Sequence, residues 1–144
     1  MAAQQKPEIP PDMNALNRKI IDEFRATKGQ LSGRMAGRQL LLITTKGART
    51  GEPRTAVIGY RKSGHTYVVI ASANGAAAHP AWYINLLADP HATIEVGPEK
   101  LRVRARTAKG KERQKLAKVV EYLEPQQKLT SRTIPLVALE PQES

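Results

Sequence analysis

Hydrophobic and polar positions along the chain change period several times, and each change marks an element. Leu16, Ile20, Ile21 and Phe24 fall at helical spacing behind Asn14, a good N-cap, and predict a helix ending near Gly29. Gln30 to Gly37 is small and polar and predicts a loop. Gln39 to Thr45 (QLLLITT), Ala56 to Tyr60 and Thr66 to Ala71 (TYVVIA) are short apolar runs rich in β-branched residues, as buried strands are. The KGARTGEPRT segment and RKSGH separate them as turns, so three consecutive strands form an antiparallel meander.

Beyond a loop of small residues, SANGAAAH, Pro80 predicts a helix start, with Trp82, Tyr83, Leu86 and Leu87 in a compact helix that stops at Asp89-Pro90. His91 to Val96 and Lys100 to Arg106 form a second hairpin around Gly97-Pro98. In its second strand Leu101, Val103 and Ala105 alternate with Arg102, Arg104 and Arg106, the two-residue period of a half-buried strand. Lys109 to Leu123 reads as a helix with Leu116, Val119, Val120 and Leu123 on one face. Pro125 to Arg132 reads as a polar connection and Thr133 to Leu139 (TIPLVAL) as a last strand, its proline placing it at an edge or bulge. The order α-β-β-β-α-β-β-α-β, with strands in hairpins, excludes a parallel doubly wound sheet. It predicts a mainly β, α+β fold: a small antiparallel split β-barrel of about six strands with two or three covering helices.

Residues 1–13, polar and with three prolines, read as a flexible leader, 14–29 as an N-terminal helix and 30–144 as the barrel domain. The leader lacks the apolar segment of a secretory signal, and no run approaches a membrane span, so a cytoplasmic location is expected. The 144 residues and 40% hydrophobic content suffice for one core. An absence of cysteine excludes disulfides, cysteine-ligated zinc, iron–sulfur clusters and thiol catalysis.

Charge changes the picture more. The formal net charge is +10, which suits nucleic acid, an acidic membrane surface or an anionic small molecule. Between Lys100 and Lys118 nine basic residues face only Glu112, but no aromatic side chain interleaves them as a stacking platform for single strands. The first helix carries Arg18, Lys19, Arg25 and Lys28 beside its apolar stripe. Exposed, that stripe would be a peripheral membrane anchor; packed on the barrel, it is core.

Candidate chemistry is sparse. His65, His79 and His91 are too dispersed for a metal site, and no hydrolase, metalloprotease or nucleotide-binding motif is present. An enzyme with this sequence would draw its reactivity from a bound cofactor. The segment from Lys46 to Arg54 sets Lys46, Arg49 and Arg54 around Gly47, Gly51 and Thr50, a basic turn able to cradle phosphate or carboxylate. Ser72, Ala73, Asn74 and Gly75 permit close backbone approach to a flat ligand, and Trp82 or Tyr83 could wall a ring-binding cleft.

Three pieces in order, the T-K-G-A-R-T-G-E-P-R turn, HPAWYINLLADP and the terminal RTIP, resemble the deazaflavin (F420)-dependent nitroreductase family of actinobacteria, over roughly Gln39 to Pro141. The resemblance implies a split barrel binding coenzyme F420, with Lys46, Arg49, Thr50, Gly51 and Arg54 on its phosphate and tail. It implies Ser72 to Gly75 along the deazaflavin ring, with Trp82, Tyr83 and Asn85 nearby. Reduced F420 would pass a hydride to an electron-poor double bond, quinone or nitro compound, with Ser72 or a solvent molecule as hydrogen-bond donor. Where some relatives carry several substrate-pocket tyrosines, Tyr122 stands alone, followed by Gln126. An FMN-binding split barrel and a basic nucleic-acid-binding module are the alternatives, and monomer and dimer remain open.

Overall fold

A computed structural model describes residues 13–142; the expected leader, residues 1–13, lies outside the described residues except Met13, which begins the first helix. Seven strands form one antiparallel sheet: β1 (Leu40–Lys46), β2 (Pro53–Gly59), β3 (Arg61–Ser63), β4 (Thr66–Ile70), β5 (His91–Val96), β6 (Glu99–Thr107) and β7 (Leu136–Pro141). Their order across the sheet is β2-β1-β5-β6-β7-β4-β3. Helices α1 (Met13–Thr27), α2 (Ala81–Ala88), α3 (Gly110–Ala117) and α4 (Leu123–Gln127) complete it, with single 3-10 turns at Gly33–Met35 and Ala73–Gly75.

The outermost strands of this ladder, β2 and β3, are separated in sequence by Tyr60 alone. In a flat sheet strands six places apart in the ladder would lie roughly 29 Å from one another. One residue cannot span that gap, so the sheet curls until its two edges meet. The split barrel expected from the hairpin pattern is the result. Its seventh strand, β3, arises from the first residues of RKSGH, leaving only Gly64 and His65 for the turn.

Both faces of the most apolar strands are covered, which is why they read as continuous runs. Leu41, Ile43, Tyr67, Val69, Ile94, Val103, Val137 and Leu139 fill the barrel with Trp82, Tyr83 and Leu86 of α2. The alternate residues Val68, Ile70, Leu136 and Ala138 point outward and are covered by Leu116 and Val120. On the opposite flank Phe24 packs with Leu31 and Leu42, joined by Ile20, Ile21 and Val57. Arg25 adds a two-pronged ion pair to Glu95, Nε to Oε1 at 3.0 Å and Nη2 to Oε2 at 2.8 Å. The described part of the α1 stripe is therefore core, not an exposed anchor. Among the described residues no helix is long and apolar enough to cross a membrane.

Two expected elements differ. β7 is no edge strand, because it pairs with both β4 and β6. Pro135 precedes the strand, where its missing N–H costs no ladder bond, while its carbonyl accepts from Ala71 N at 2.9 Å. The single helix expected from Lys109 to Leu123 is broken after Ala117 into turns closed by three-residue bonds, such as Val120 N to Ala117 O at 3.2 Å. The chain then restarts as α4, with Pro125 in its first turn, a place a proline tolerates.

The candidate coenzyme cleft

The β1–β2 turn is held from beneath. Asn85 of α2, 6% exposed, accepts a hydrogen bond from Ala48 N at 2.9 Å and donates to Oγ1 of Thr45 at 3.0 Å. Gly47 N donates to Glu52 O, and Gly51 N to Gly47 O, both at 2.8 Å. A Cβ on Gly47 would stand 3.0 Å from Thr50 Oγ1 and 3.1 Å from Glu52 O, so any larger residue must push these neighbours aside by a few tenths of an ångström. Oγ1 of Thr50 accepts from Glu52 N at 3.2 Å. Backbone N–H groups of Arg49 and Thr50 make no hydrogen bond within the described residues, which leaves two donors at the rim.

Above this turn opens a cleft of about 670 Å³ lined by Gly47, Ala48, Arg49, Thr50, Arg54, Thr55, Ala56, Ala81, Trp82 and Asn85. A second cavity of about 290 Å³ adjoins it, sharing Ala56 and Trp82, and continues past Gly59, Ser72 and Ala73 to Tyr122. Together they form a groove between β2 and the segment after β4, where the two edges of the barrel meet. One end is cationic. Arg54 is only loosely engaged, its Nη2 lying 3.6 Å from a Glu52 carboxylate oxygen with the side chain 57% exposed. The other end is aromatic, with Trp82 and Tyr122.

Tyr122 and Gln126 carry the side-chain polar atoms that are buried without a partner among the described residues, the tyrosine hydroxyl and the glutamine Oε1. Arg61 stacks over the Tyr122 ring with its guanidinium carbon 4.7 Å from the centroid. It pairs beyond with Glu121, Nε to Oε1 at 2.9 Å. Burial pushes the Tyr122 phenol above its ordinary value, partly offset by Arg61. Tyr122 therefore stays a protonated donor. Gln126 lines neither cavity.

Several expected residues lie elsewhere. Lys46 and Gly51 line a separate depression of about 270 Å³ on the other side of the β1–β2 hairpin, with His91 and Arg102. Alternate residues of a hairpin arm face opposite sides, and this puts Lys46 away from Arg54. Tyr83 is barrel core, sharing a hydrogen bond of 2.8 Å with Thr107 Oγ1 and packed edge-on against His79. Asn85 reaches the cleft, but its amide is spent on the turn. Gly75 is buried under Leu129, whose Cβ would stand 2.4 Å from a Cβ at that position. The side chain of Asn74 lies outside the described residues. Arg49, Thr50, Arg54, Ser72, Ala73, Trp82 and Tyr122 do line the groove.

Sequence reasoning assigned no part to Arg132, although it marked the RTIP segment. Its guanidinium donates to the carbonyls of Ala71, Ser72 and Ala76 and to the ring of His79. Gln127 fixes its backbone, with Nε2 donating to Arg132 O at 2.7 Å and Oε1 accepting from Ile134 N at 2.9 Å. The signal was an arginine directly before an otherwise apolar, buried strand.

The basic stretch from Lys100 to Lys118 is divided. Arg106 pairs with Glu112 at 2.5 Å and Glu140 at 3.4 Å, and Arg113 donates to Ile134 O at 2.9 Å. Arg102 and Arg104 are exposed on β6, Arg104 paired across the ladder with His91.

The split barrel thus carries one groove with Arg49 and Arg54 at one end, Trp82 at its middle and Tyr122 at the other end. The chain belongs to the F420H(2)-dependent quinone reductase family, which it matches over residues 16–141. An F420H(2)-dependent quinone reductase of Mycobacterium tuberculosis is 39% identical over 84 residues, 58% of this chain and 56% of that protein. The match thus spans little more than half the length of that curated relative. Among solved structures, the F420-H2-dependent reductase FDR-A superposes with a TM-score of 0.65 at 30% identity, covering 72% of this chain and 95% of that one. A structure described as a domain-swapped dimer has the same TM-score, 0.65, and identity, 30%, over 91% of this chain and 99% of its own. The family resemblance and barrel read from the sequence motifs are both met.

Proposed function

We propose that this chain binds reduced F420 in the groove and transfers its hydride to a quinone-like acceptor. The observation that carries this reading is the pairing, in one groove, of a rim with Arg49, Arg54 and two unbonded N–H groups with a buried, unpartnered tyrosine hydroxyl. When bound, the reduced coenzyme supplies a hydride from its deazaflavin ring; every other contribution belongs to the chain. Arg49, Arg54 and the N–H groups of Arg49 and Thr50 hold the anionic phosphate and tail. Ala56, Gly59, Ala73 and Trp82 bound the flat ring with small or planar groups and exclude water. Tyr122 donates a hydrogen bond to the acceptor oxygen as negative charge develops there, and Ser72 is the second candidate donor. The coenzyme-binding unit is the barrel with α1 packed on its flank.

Titration of F420 fluorescence with the purified chain tests this. Saturable binding is expected, followed by oxidation of the reduced coenzyme when a quinone is added. A folded chain that leaves F420 fluorescence unchanged, or that purifies with yellow FMN, overturns it. Salt-sensitive capture of nucleic acid in place of F420 would favour the basic-module alternative.

A further inference from the structure

We infer that Arg132 is a positioning residue for the coenzyme, acting through the backbone that walls the ring end of the groove. This rests on the F420 reading above and gives that site a residue that touches no ligand. The wall is the segment after β4, where Ser72 and Ala73 line the smaller cavity. Ala71 is the last residue tied to the sheet, donating to Pro135 O. From Ser72 to Ala76 the backbone–backbone bonds among the described residues are single-turn ones, Gly75 N to Ser72 O at 2.9 Å and Ala76 N to Ala73 O at 3.0 Å.

Ala73 adopts a φ of +49°, in the left-handed region where a Cβ crowds the following carbonyl. Such a conformation persists only where the surroundings over-determine it. Here they include Leu129 packed on Gly75 and, above all, the fork of one guanidinium. Nη2 reaches Ala71 O at 3.0 Å and Ser72 O at 2.8 Å, and Nε reaches Ala76 O at 2.9 Å, so carbonyls on both sides of Ala73 are fixed. Nη1 lies 2.9 Å from Nδ1 of His79. A guanidinium only donates, so Nδ1 accepts and the ring proton sits on Nε2. The His79 ring in turn packs edge-on against Tyr83, centroids 5.1 Å apart, which ties the loop's far end to the barrel core.

No carboxylate pairs with Arg132 among the described residues, so its charge is met by three carbonyl dipoles and the His79 ring nitrogen. Burial lowers its pKa, yet a guanidinium remains protonated throughout the working range. Lysine keeps the charge but offers a single ammonium, which cannot span three carbonyls and a ring nitrogen in this planar arrangement.

The test compares wild type, Arg132→Lys and Arg132→Gly by F420 fluorescence titration, by thermal melt, and by amide exchange over residues 71–79. Expected in both variants are faster exchange confined to that segment and F420 binding weaker by roughly ten- to a hundredfold, the scale on which misplacing a contact by an ångström acts. Millimolar guanidinium, and not urea, should restore binding to Arg132→Gly. Should that variant fail to fold, Arg132→Lys carries the comparison. Wild-type binding with affinity and loop exchange unchanged in Arg132→Lys overturns this assignment alone. So does a melting temperature that falls while affinity, measured below the melt, holds. A wild-type chain that does not bind F420 overturns the coenzyme reading and this assignment with it.

Discussion

Replacing Asn85 by alanine should damage both the barrel and the cationic rim, by an amount that follows from its two hydrogen bonds. Thr45 is 2% exposed, so its hydroxyl loses a donor where no water replaces it, a loss of about 1–3 kcal/mol. Ala48 is exposed, and its N–H turns to solvent for roughly 0.5–1 kcal/mol more. Together the expected destabilisation is about 1.5–4 kcal/mol, or a melting temperature lower by roughly 5–13 °C for a chain of this size. Urea unfolding of wild type, Asn85→Ala, Thr45→Val and the double variant measures it. In the double variant the loss should fall short of the summed single losses, because the shared bond is counted in each. Released from α2, the turn should also bind F420 less tightly. An Asn85→Ala chain within about 1 kcal/mol of wild type, or strictly additive losses, would refute the reasoning.

Arg54→Ala should weaken F420 binding by about 1–3 kcal/mol, the scale of a charged hydrogen bond, while leaving the melt unchanged; fluorescence titration reads it. Gly75→Ala meets both a φ of +80° and the Leu129 Cβ, so thermal melts should show a loss above about 1 kcal/mol with the loop displaced. Arg61 holds the Glu121 carboxyl at about 2, below its ordinary 4.5. A depressed folded-state pKa means that this pair's contribution is complete above about 4.5 and is lost as pH falls towards 2. Carboxyl NMR titration should find the Glu121 midpoint near 2, and Arg61→Met should return it towards 4.5.

Local pattern carried the barrel. The alternation in β6, the doubly apolar runs of β1, β4 and β7 and the α1 stripe each report on neighbours within a few residues, as propensity and burial do. Where a proline's effect depended on what lay beside it, pattern misled: Pro135 suggested an edge, whereas it precedes a central strand. The groove was legible through small and basic residues clustered in sequence, as at Arg49 to Arg54 and at Ser72 and Ala73. Side was not legible, since Lys46 and Arg54 are near in sequence and on opposite faces of one hairpin. Nor were long-range hydrogen bonds. The partners of Asn85 lie 37 and 40 residues away, and those of Arg132 53 to 61 away, so nothing local to either announces its work.

The position of β7 in the sheet sets a timetable for the site. Without it the ladder falls into two hydrogen-bonded pieces, β2-β1-β5-β6 and β4-β3, joined by the chain at Tyr60 and through α2 between β4 and β5. One piece carries Arg54 and Ala56, the other leads into Ser72 and Ala73, so the groove has its two walls on different pieces. The strand that pairs them is the last of the seven to leave the ribosome, and Arg132 emerges just ahead of it. The binding groove is thus assembled late in synthesis, after most of the residues that line it have already been made.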